Sequence, residues 1–327
     1  MNRRLLHNLF FAAVGVILIA LVYDAVTRRQ ASTRILIFQD KPQEWADALK
    51  LGFEAGLRDS PEGHNVTLIT KSAAADPQAA TTLAQIIGKE HYALVYALGT
   101  QASQEVFRVV KDKPVIFGAV TDPVAAGFYE ASLNSPKGEI TGTQDIWPYS
   151  AQFDLMLRLV PQLKQLGILY NSSEINSQVS VGLIEKECSK RGISLLPRTV
   201  TEPSQISLAV AGLLQSGIQA FFIPADNTAQ GNAQVIIAAC LRAKIPVFTG
   251  ISGIVENGAL GTVGTNYVEL GRVNARQAIE ILKGMPASKV PVASAASGDL
   301  YLNRSTAEKL GIQLPEELLK RATNVYR

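Results

Sequence analysis

The sequence predicts an α/β protein with two doubly wound parallel-sheet lobes joined by a hinge and preceded by an N-terminal transmembrane or signal helix. Three observations support this fold class. The chain of 327 residues is about twice the length of one typical domain. Short β-rich runs alternate with helical stretches, which is typical of βαβ units. The same order of elements occurs twice along the chain, and this favours two lobes over one large sheet.

The predicted strands are almost continuously apolar, as expected where helices cover both faces of a parallel sheet. The first series lies at 34–38, 65–70, 93–98 and 114–119. The second series lies at 166–170, 193–200, 220–223 and 246–249, with a fifth strand at 262–263. The local pattern Lys-Pro-Val-Ile-Phe at 113–117 has a counterpart at 244–248, which indicates a duplicated lobe.

The predicted lobes are discontinuous in sequence. We expect residues 34–145 to form the first lobe and residues 146–265 to form the second. Glycine, proline and aromatic residues interrupt the periodicity at 142–150, and this places the first crossing there. We expect the chain to return to the first lobe near 266–290 and to end in the second lobe over 291–327.

Residues 1–33 are predicted to be a signal or anchor helix followed by a polar linker. Arg3 and Arg4 precede an apolar run over 9–23. No good pair of small residues follows this run, so we favour an uncleaved anchor over a cleaved signal. A helix over 5–26 would reach roughly 33 Å, which is enough for a bilayer core. We therefore expect the body of the protein on the periplasmic or extracellular face of the membrane.

Composition excludes several classes of protein. Residues 1–34 carry a net charge of +4, while the rest of the chain has 26 basic and 27 acidic side chains, which gives no basic face for a nucleic acid. Cys188 and Cys240 form no CxxC pair, and no histidine lies near them, so the sequence predicts no metal site. Both should be free thiols on opposite faces of the second sheet. Phosphate-loop and nucleophile-elbow motifs are absent, and we expect no cofactor.

The predicted ligand site lies beyond the carboxyl ends of the strands, where ligands bind in open α/β sheets. Small hydroxyl, amide and carboxylate side chains follow most strands and suit hydrogen bonding to a small ligand between the lobes. No paired acid and base appears among them, which argues against catalysis. Some of these side chains could instead begin helices: Thr100, Thr121, Ser172 and Asn227. Four aromatic residues could either line the cleft or pack the hinge: Trp147, Tyr149, Tyr170 and Tyr267.

Several stretches together carry a family resemblance. They are ALGTQAS at 97–103, VIFGAVTDPVAAGF at 115–128, GILYNSSEINS at 167–177, IPADNT at 223–228, KIPVFTG at 244–250, NGALGTVGTNYVELGR at 257–272 and LGIQLPEELLKRA at 310–322. The chain from about residue 35 to residue 322 resembles the ABC-transporter substrate-binding proteins of the tryptophan/tyrosine-binding type, which have a periplasmic-binding-protein type I fold. The resemblance implies a receptor that closes on a small ligand, commonly an aromatic or apolar amino acid, and passes it to a membrane permease. We expect a monomer.

The resemblance also implies which residues meet the ligand: Thr100, Gln101, Thr121, Ser172, Ser173, Asn176, Asp226, Asn227 and Tyr267. Relatives often have an acidic residue after the Pro-Val-Phe strand, where this chain has Thr249-Gly250, and an aspartate where it has Asn266. This leaves Asp226 as the main partner for an ammonium group, with Glu174 as its nearest rival and a helix cap as the alternative role. We therefore expect Asp226→Asn to weaken ligand binding with little effect on stability. Two other functions stay open, a membrane-anchored ligand sensor and an enzyme on a doubly wound scaffold.

Overall fold

The computed structural model describes residues 33–73, 76–294 and 298–327. The predicted N-terminal helix, at 1–32, lies outside the described residues. Within them, no helix has the length and apolarity that a membrane span requires.

The first half of the described chain contains the following elements: β1 (Thr33–Gln39), α1 (Glu44–Arg58), β2 (Val66–Ser72), α2 (Pro77–Lys89), β3 (Leu94–Leu98), α3 (Thr100–Val109), β4 (Val115–Val120), β5 (Ile140–Gln144) and α4 (Tyr149–Leu159). The second half contains β6 (Gln165–Asn171), α5 (Ile175–Arg191), β7 (Ser194–Val200), α6 (Ile206–Gln215), β8 (Ala220–Ile223), α7 (Asn227–Gly231), α8 (Ala233–Arg242), β9 (Val247–Thr249), α9 (Ser252–Glu256), β10 (Gly261–Gly264), α10 (Tyr267–Leu282), β11 (Ala293–Ser294), β12 (Asp299–Asn303), α11 (Arg304–Leu310), α12 (Glu316–Arg321) and β13 (Asn324–Tyr326).

The first lobe is a six-stranded parallel sheet in the order β11-β5-β4-β3-β1-β2. Its central strands are apolar on both faces, and every residue of β3 and β4 is buried. Helices α1 and α10 pack closely together in this lobe. Because α10 begins long after β5 in sequence, the chain enters this lobe twice.

The second lobe is a seven-stranded sheet in the order β13-β12-β10-β9-β8-β6-β7. Its strands are parallel except at one edge, where β12 runs antiparallel to β10 and parallel to β13. Three segments connect the two sheets: the one after β5, the one after β10 and the one between β11 and β12. The first two follow carboxyl ends of strands, so they enter the cleft between the lobes.

The structure confirms the predicted fold class of two α/β lobes. Strand β8 has the predicted bounds, and the other predicted strands differ from the observed ones by one or two residues at their ends. Strand β5 was not predicted, because its sequence ITGTQ contains a glycine and two threonines instead of a continuous apolar run. The predicted interruption of periodicity at 142–150 therefore contains the end of a buried strand.

Both cysteines of the chain are free, as predicted, and both are buried. Cys188 lies on α5 and Cys240 on α8. Right-handed crossovers place α5 on one face of the second sheet and α8 on the other, because β7 lies to one side of β6 while β8 and β9 lie to its other side. The sheet separates the two thiols.

The thiols should be unreactive in the folded protein. Burial raises the pKa of each thiol to about 12, so the reactive thiolate is scarce at neutral pH. We expect an aromatic disulfide reagent to titrate no thiol in native protein at pH 8 and two after unfolding in urea. Rapid reaction of either thiol before unfolding would contradict the buried placement.

Candidate functional site

A cavity lies between the two lobes at the carboxyl ends of their strands. Its void space, including the mouth, is about 340 Å³. Residues of both lobes and of the two hinge segments line it: Trp45, Gly99, Thr100, Ala119, Thr121, Asp145, Trp147, Asn176, Ala225, Asn227, Gln230 and Tyr267. Its polar and aromatic lining, drawn from both lobes, suits a small ligand held between them.

Two tryptophans in the lining lie against glycines that directly follow strands. Trp45, in the first turn of α1, lies over Gly99, where an added Cβ would be 2.8 Å from the ring. Trp147, in the first hinge segment, lies over Gly250, where an added Cβ would be 2.1 Å from the ring. Gly99 also has a φ of 81°, a conformation that favours glycine. In each lobe, therefore, an indole ring packs directly on main-chain atoms that no side chain covers. We call these two indole rings the aromatic walls of the cavity.

The hinge side of the cavity is a hydrogen-bonded group centred on Asp145. One carboxylate oxygen accepts from the Tyr267 hydroxyl at 2.8 Å and from Trp147 Nε1 at 3.2 Å. The other accepts from the Thr265 hydroxyl at 2.8 Å. Burial raises the pKa of Asp145, while these three donors oppose the rise by favouring the charged form. Of the lining residues, Asp145 is the acidic one.

Other lining residues provide polar groups at the start of helices. Thr100 is the first residue of α3, so the free N–H groups of that helix begin at the cavity. Thr121 lies on the same side, after β4. Across the cleft, Asn176 donates through Nδ2 to the Ala225 carbonyl at 2.9 Å, and its buried Oδ1 has no hydrogen-bond partner among the residues that the structure describes. An unpartnered buried acceptor in the lining suits a ligand donor.

Asn227 connects the lobes at the mouth of the cavity. Its carbonyl accepts from Lys41 Nζ at 2.9 Å, and its side-chain nitrogen donates to Gln101 Oε1 at 3.2 Å. Its side-chain oxygen also accepts from Gln43 Nε2 at 3.5 Å. Because Lys41, Gln43 and Gln101 belong to the first lobe, these bonds hold the lobes in a closed arrangement.

Asp226 does not reach the cavity, contrary to the sequence expectation. It is fully buried as the N-cap of α7. One oxygen accepts from the Ala229 N–H at 2.5 Å, and the other accepts from the Asn171 N–H at 2.5 Å and the Ser177 hydroxyl at 2.6 Å. The alternative role as a helix cap, which the sequence also allowed, is the one that the geometry supports.

Glu174 also points into the second lobe. Its carboxylate accepts from the Asn227 and Thr228 N–H groups and from the Thr228 hydroxyl. Burial and the nearby Glu174 charge raise the pKa of Asp226 to about 6. The two carboxylates therefore fix the loop after β8 and shape the cavity through their neighbours Asn227 and Ala225.

The structure brings five of the nine predicted site residues to the cavity: Thr100, Thr121, Asn176, Asn227 and Tyr267. Gln101 lies at the cleft mouth, where it bonds Asn227. Ser172 and Ser173 are exposed, and Ser173 donates to Asn171 in a local turn. A serine after a strand can therefore serve the turn alone.

Sequence reasoning missed two lining residues that carry chemistry. Asp145 directly follows β5, so recognising that strand would have placed it among the cleft residues. Trp45 lies six residues beyond β1, outside the window directly after the strand, and its sequence position gives no signal. Trp147 had two interpretations, and the structure shows both: it lines the cavity and packs the hinge.

With this architecture established, the class of protein is clear: the chain belongs to the family of ABC transporter substrate-binding proteins, whose family model matches residues 42–326. Among relatives, a tyrosine-binding protein of Clostridioides difficile is 29% identical over 269 residues, which cover 82% of this chain and 77% of that protein. The periplasmic-binding-protein type I fold implied by the resemblance is confirmed.

Two solved structures bear on the state of the lobes. An ABC domain from Streptococcus pneumonia in complex with L-Trp has a TM-score of 0.85 and 28% identity. A ligand-free, open substrate-binding protein with adhesive properties from Clostridium difficile has a TM-score of 0.70 and 29% identity. Both comparisons cover 90% of this chain and 99% of the other. At nearly the same identity and coverage, this chain is more similar to the L-Trp complex than to the open structure.

Proposed function

We propose that this protein captures an aromatic amino acid, such as tryptophan or tyrosine, between its lobes and delivers it to the permease of an ABC importer. The observation that carries the proposal is the cavity itself. It brings together two indole rings, a buried carboxylate at the hinge and the start of a helix. The tyrosine-binding relative and the L-Trp complex support the same ligand class.

Each part of an aromatic amino acid has a matching group in the cavity. The ammonium group would meet the Asp145 carboxylate and the unpartnered Oδ1 of Asn176, because both accept hydrogen bonds. The carboxylate would meet the first N–H groups of α3 and the hydroxyls of Thr100 and Thr121. The ring would pack between Trp45 and Trp147.

The proposed role in uptake determines on which side of the membrane the lobes should lie. We propose that the two lobes work outside the cytoplasmic membrane as a monomer, with the N-terminal segment as their anchor beside the permease. The absence of a paired acid and base from the predicted cleft residues supports binding without catalysis. A permease needs access to the ligand, so the bonds that Asn227 makes across the cleft would have to open on docking.

Calorimetry of the purified full chain in mild detergent tests the ligand class. We expect saturable binding of L-tryptophan or L-tyrosine, with L-alanine at least about a hundredfold weaker, because an aromatic ring buries about 150–250 Å² at roughly 25 cal/mol per Å². Mass spectrometry of ligand released on unfolding provides an independent identification. Failure of both aromatic amino acids to bind, after any bound ligand has been removed, would contradict the proposal.

A further inference from the structure

The indole of Trp147 occupies the space that a side chain at position 250 would need. A Cβ added to Gly250 would lie 2.1 Å from Cδ2, 2.3 Å from Cε3 and 2.4 Å from Cε2 of Trp147. These atoms form the middle of the indole, so the ring rests directly on the Gly250 backbone. Gly250 immediately follows β9, at the edge of the sheet that faces the cleft.

Trp147 has little freedom to move away from an added methyl group. Its side chain is 2% exposed, and its ring centroid is 6.2 Å from that of Tyr149 and 6.3 Å from that of Phe222. Its Nε1 donates to Asp145 and lies 3.2 Å from the Tyr267 hydroxyl. An atom at Gly250 would therefore push the indole into the cavity or break its bonds to the hinge.

We propose that Gly250 is a specificity-determining position, whose lack of a side chain admits Trp147 as the aromatic wall of the second lobe and selects ligands with a planar ring. This inference rests on the proposed function and refines it. Trp45 over Gly99 is the opposing wall, contributed by the first lobe. Tyr267 contacts both indoles: its ring centroid is 6.0 Å from that of Trp45, and its hydroxyl lies 3.2 Å from Trp147 Nε1.

Gly250 gives a cleaner test than Gly99. Gly99 has a positive φ, so any substitution there strains the backbone as well as displacing Trp45. Gly250 is not among the positive-φ glycines, so Gly250→Ala adds a methyl group without that strain. Gly212, in α6, is a matched control, because an added Cβ there has no atom within 4 Å.

We expect Gly250→Ala to weaken L-tryptophan or L-tyrosine binding roughly tenfold to a hundredfold, as overpacking of a filled site does. Leucine binding should weaken much less, so the selectivity for the aromatic ligand should fall. Gly212→Ala should leave both affinities unchanged within about twofold. Equal weakening of aromatic and leucine binding would overturn the assignment of specificity to this position.

A double-mutant cycle tests whether the effect passes through Trp147. In a Trp147→Ala background, adding Gly250→Ala should cost almost nothing, because the methyl group then has space. Additive losses of affinity would overturn the proposal. The step from Trp147→Ala to the double variant can be measured even if Gly250→Ala alone folds poorly, and a loss of roughly tenfold or more at that step would also overturn the proposal.

Fluorescence separates failure of this inference from failure of the proposed function. Trp45 and Trp147 are the two tryptophans of the chain, so Trp45→Phe leaves Trp147 as the reporter. We expect Gly250→Ala to shift the Trp147 emission to longer wavelength, whether or not an amino acid binds. Unchanged emission with unchanged ligand affinity would overturn the role of Gly250. A wild-type protein that binds neither aromatic amino acid would instead overturn the proposed function.

Discussion

Replacing Asp145 by asparagine should lower the affinity for an aromatic amino acid by roughly 30- to 4,000-fold. The variant keeps the shape of the side chain but removes the charge that the ammonium group of the proposed ligand would meet in a closed, desolvated cavity. Truncating one partner of a buried charged pair costs about 2–5 kcal/mol, and each 1.4 kcal/mol is a tenfold change in affinity. Calorimetry with L-tryptophan or L-tyrosine measures the loss directly.

A ligand analogue distinguishes direct contact from a change in the hinge. Indole-3-propionate has the ring and the carboxylate of tryptophan but no ammonium group, so Asp145→Asn should not weaken its binding. Equal losses for tryptophan and for the analogue would show that Asp145 acts by holding Tyr267 and Thr265 in place. Asp40→Asn is the control for a change in the overall electrostatic potential of the cleft. Asp40 lines the adjoining cavity and not the cavity that contains Asp145. It should change neither affinity by more than about twofold.

The fold could be predicted because the central strands of both sheets are buried on both faces. Continuous apolar runs of four to six residues, separated by helical stretches, identify such strands without knowledge of their partners. Strand β5 lies beside β4 and is also buried, but its core contacts are made by an isoleucine and two threonines. The fully buried Thr141 and Thr143 donate hydrogen bonds to the Val290 carbonyl and to Asn274. Such satisfied polar residues resemble a loop in sequence.

The site could be predicted only in part, because residue type after a strand does not determine side-chain direction. Thr100 and Asn176 reached the cavity from positions that sequence reasoning selected. Asp226 had the same kind of position, yet its carboxylate turns inward to the N–H groups of Ala229 and Asn171. An aspartate that begins a helix has two competing sets of donors, the ligand and its own backbone. The position of the Asn171 N–H, at the end of β6, decides between these two sets of donors, and only the three-dimensional structure shows it.

The inward orientation of Asp226 makes stability, and not ligand contact, the property that this carboxylate controls. Its pKa in the folded protein is about 6, against an ordinary value of 3.8, because burial and Glu174 disfavour the charged form. At a pH between 3.8 and about 6, Asp226 is therefore protonated in the folded state and ionised in the unfolded state. The contribution of this group to stability is therefore complete below about pH 4 and decreases as the pH rises through 6. The decrease reaches about 3 kcal/mol, since one pKa unit corresponds to about 1.4 kcal/mol.

Asp226→Asn removes this titration. The quantity to compare is the difference in the free energy of unfolding, wild type minus variant. This difference should fall by up to about 3 kcal/mol between pH 4 and pH 7. Urea unfolding of both proteins, without ligand, at several pH values gives this difference, and groups common to both cancel. Glu187→Gln is the control with the opposite sign, because hydrogen bonds from Lys190 and Arg191 lower the pKa of Glu187. For that pair the difference should rise with pH. A difference for Asp226→Asn that stays constant or rises with pH would show that its carboxylate is ionised in the folded state and would contradict this prediction.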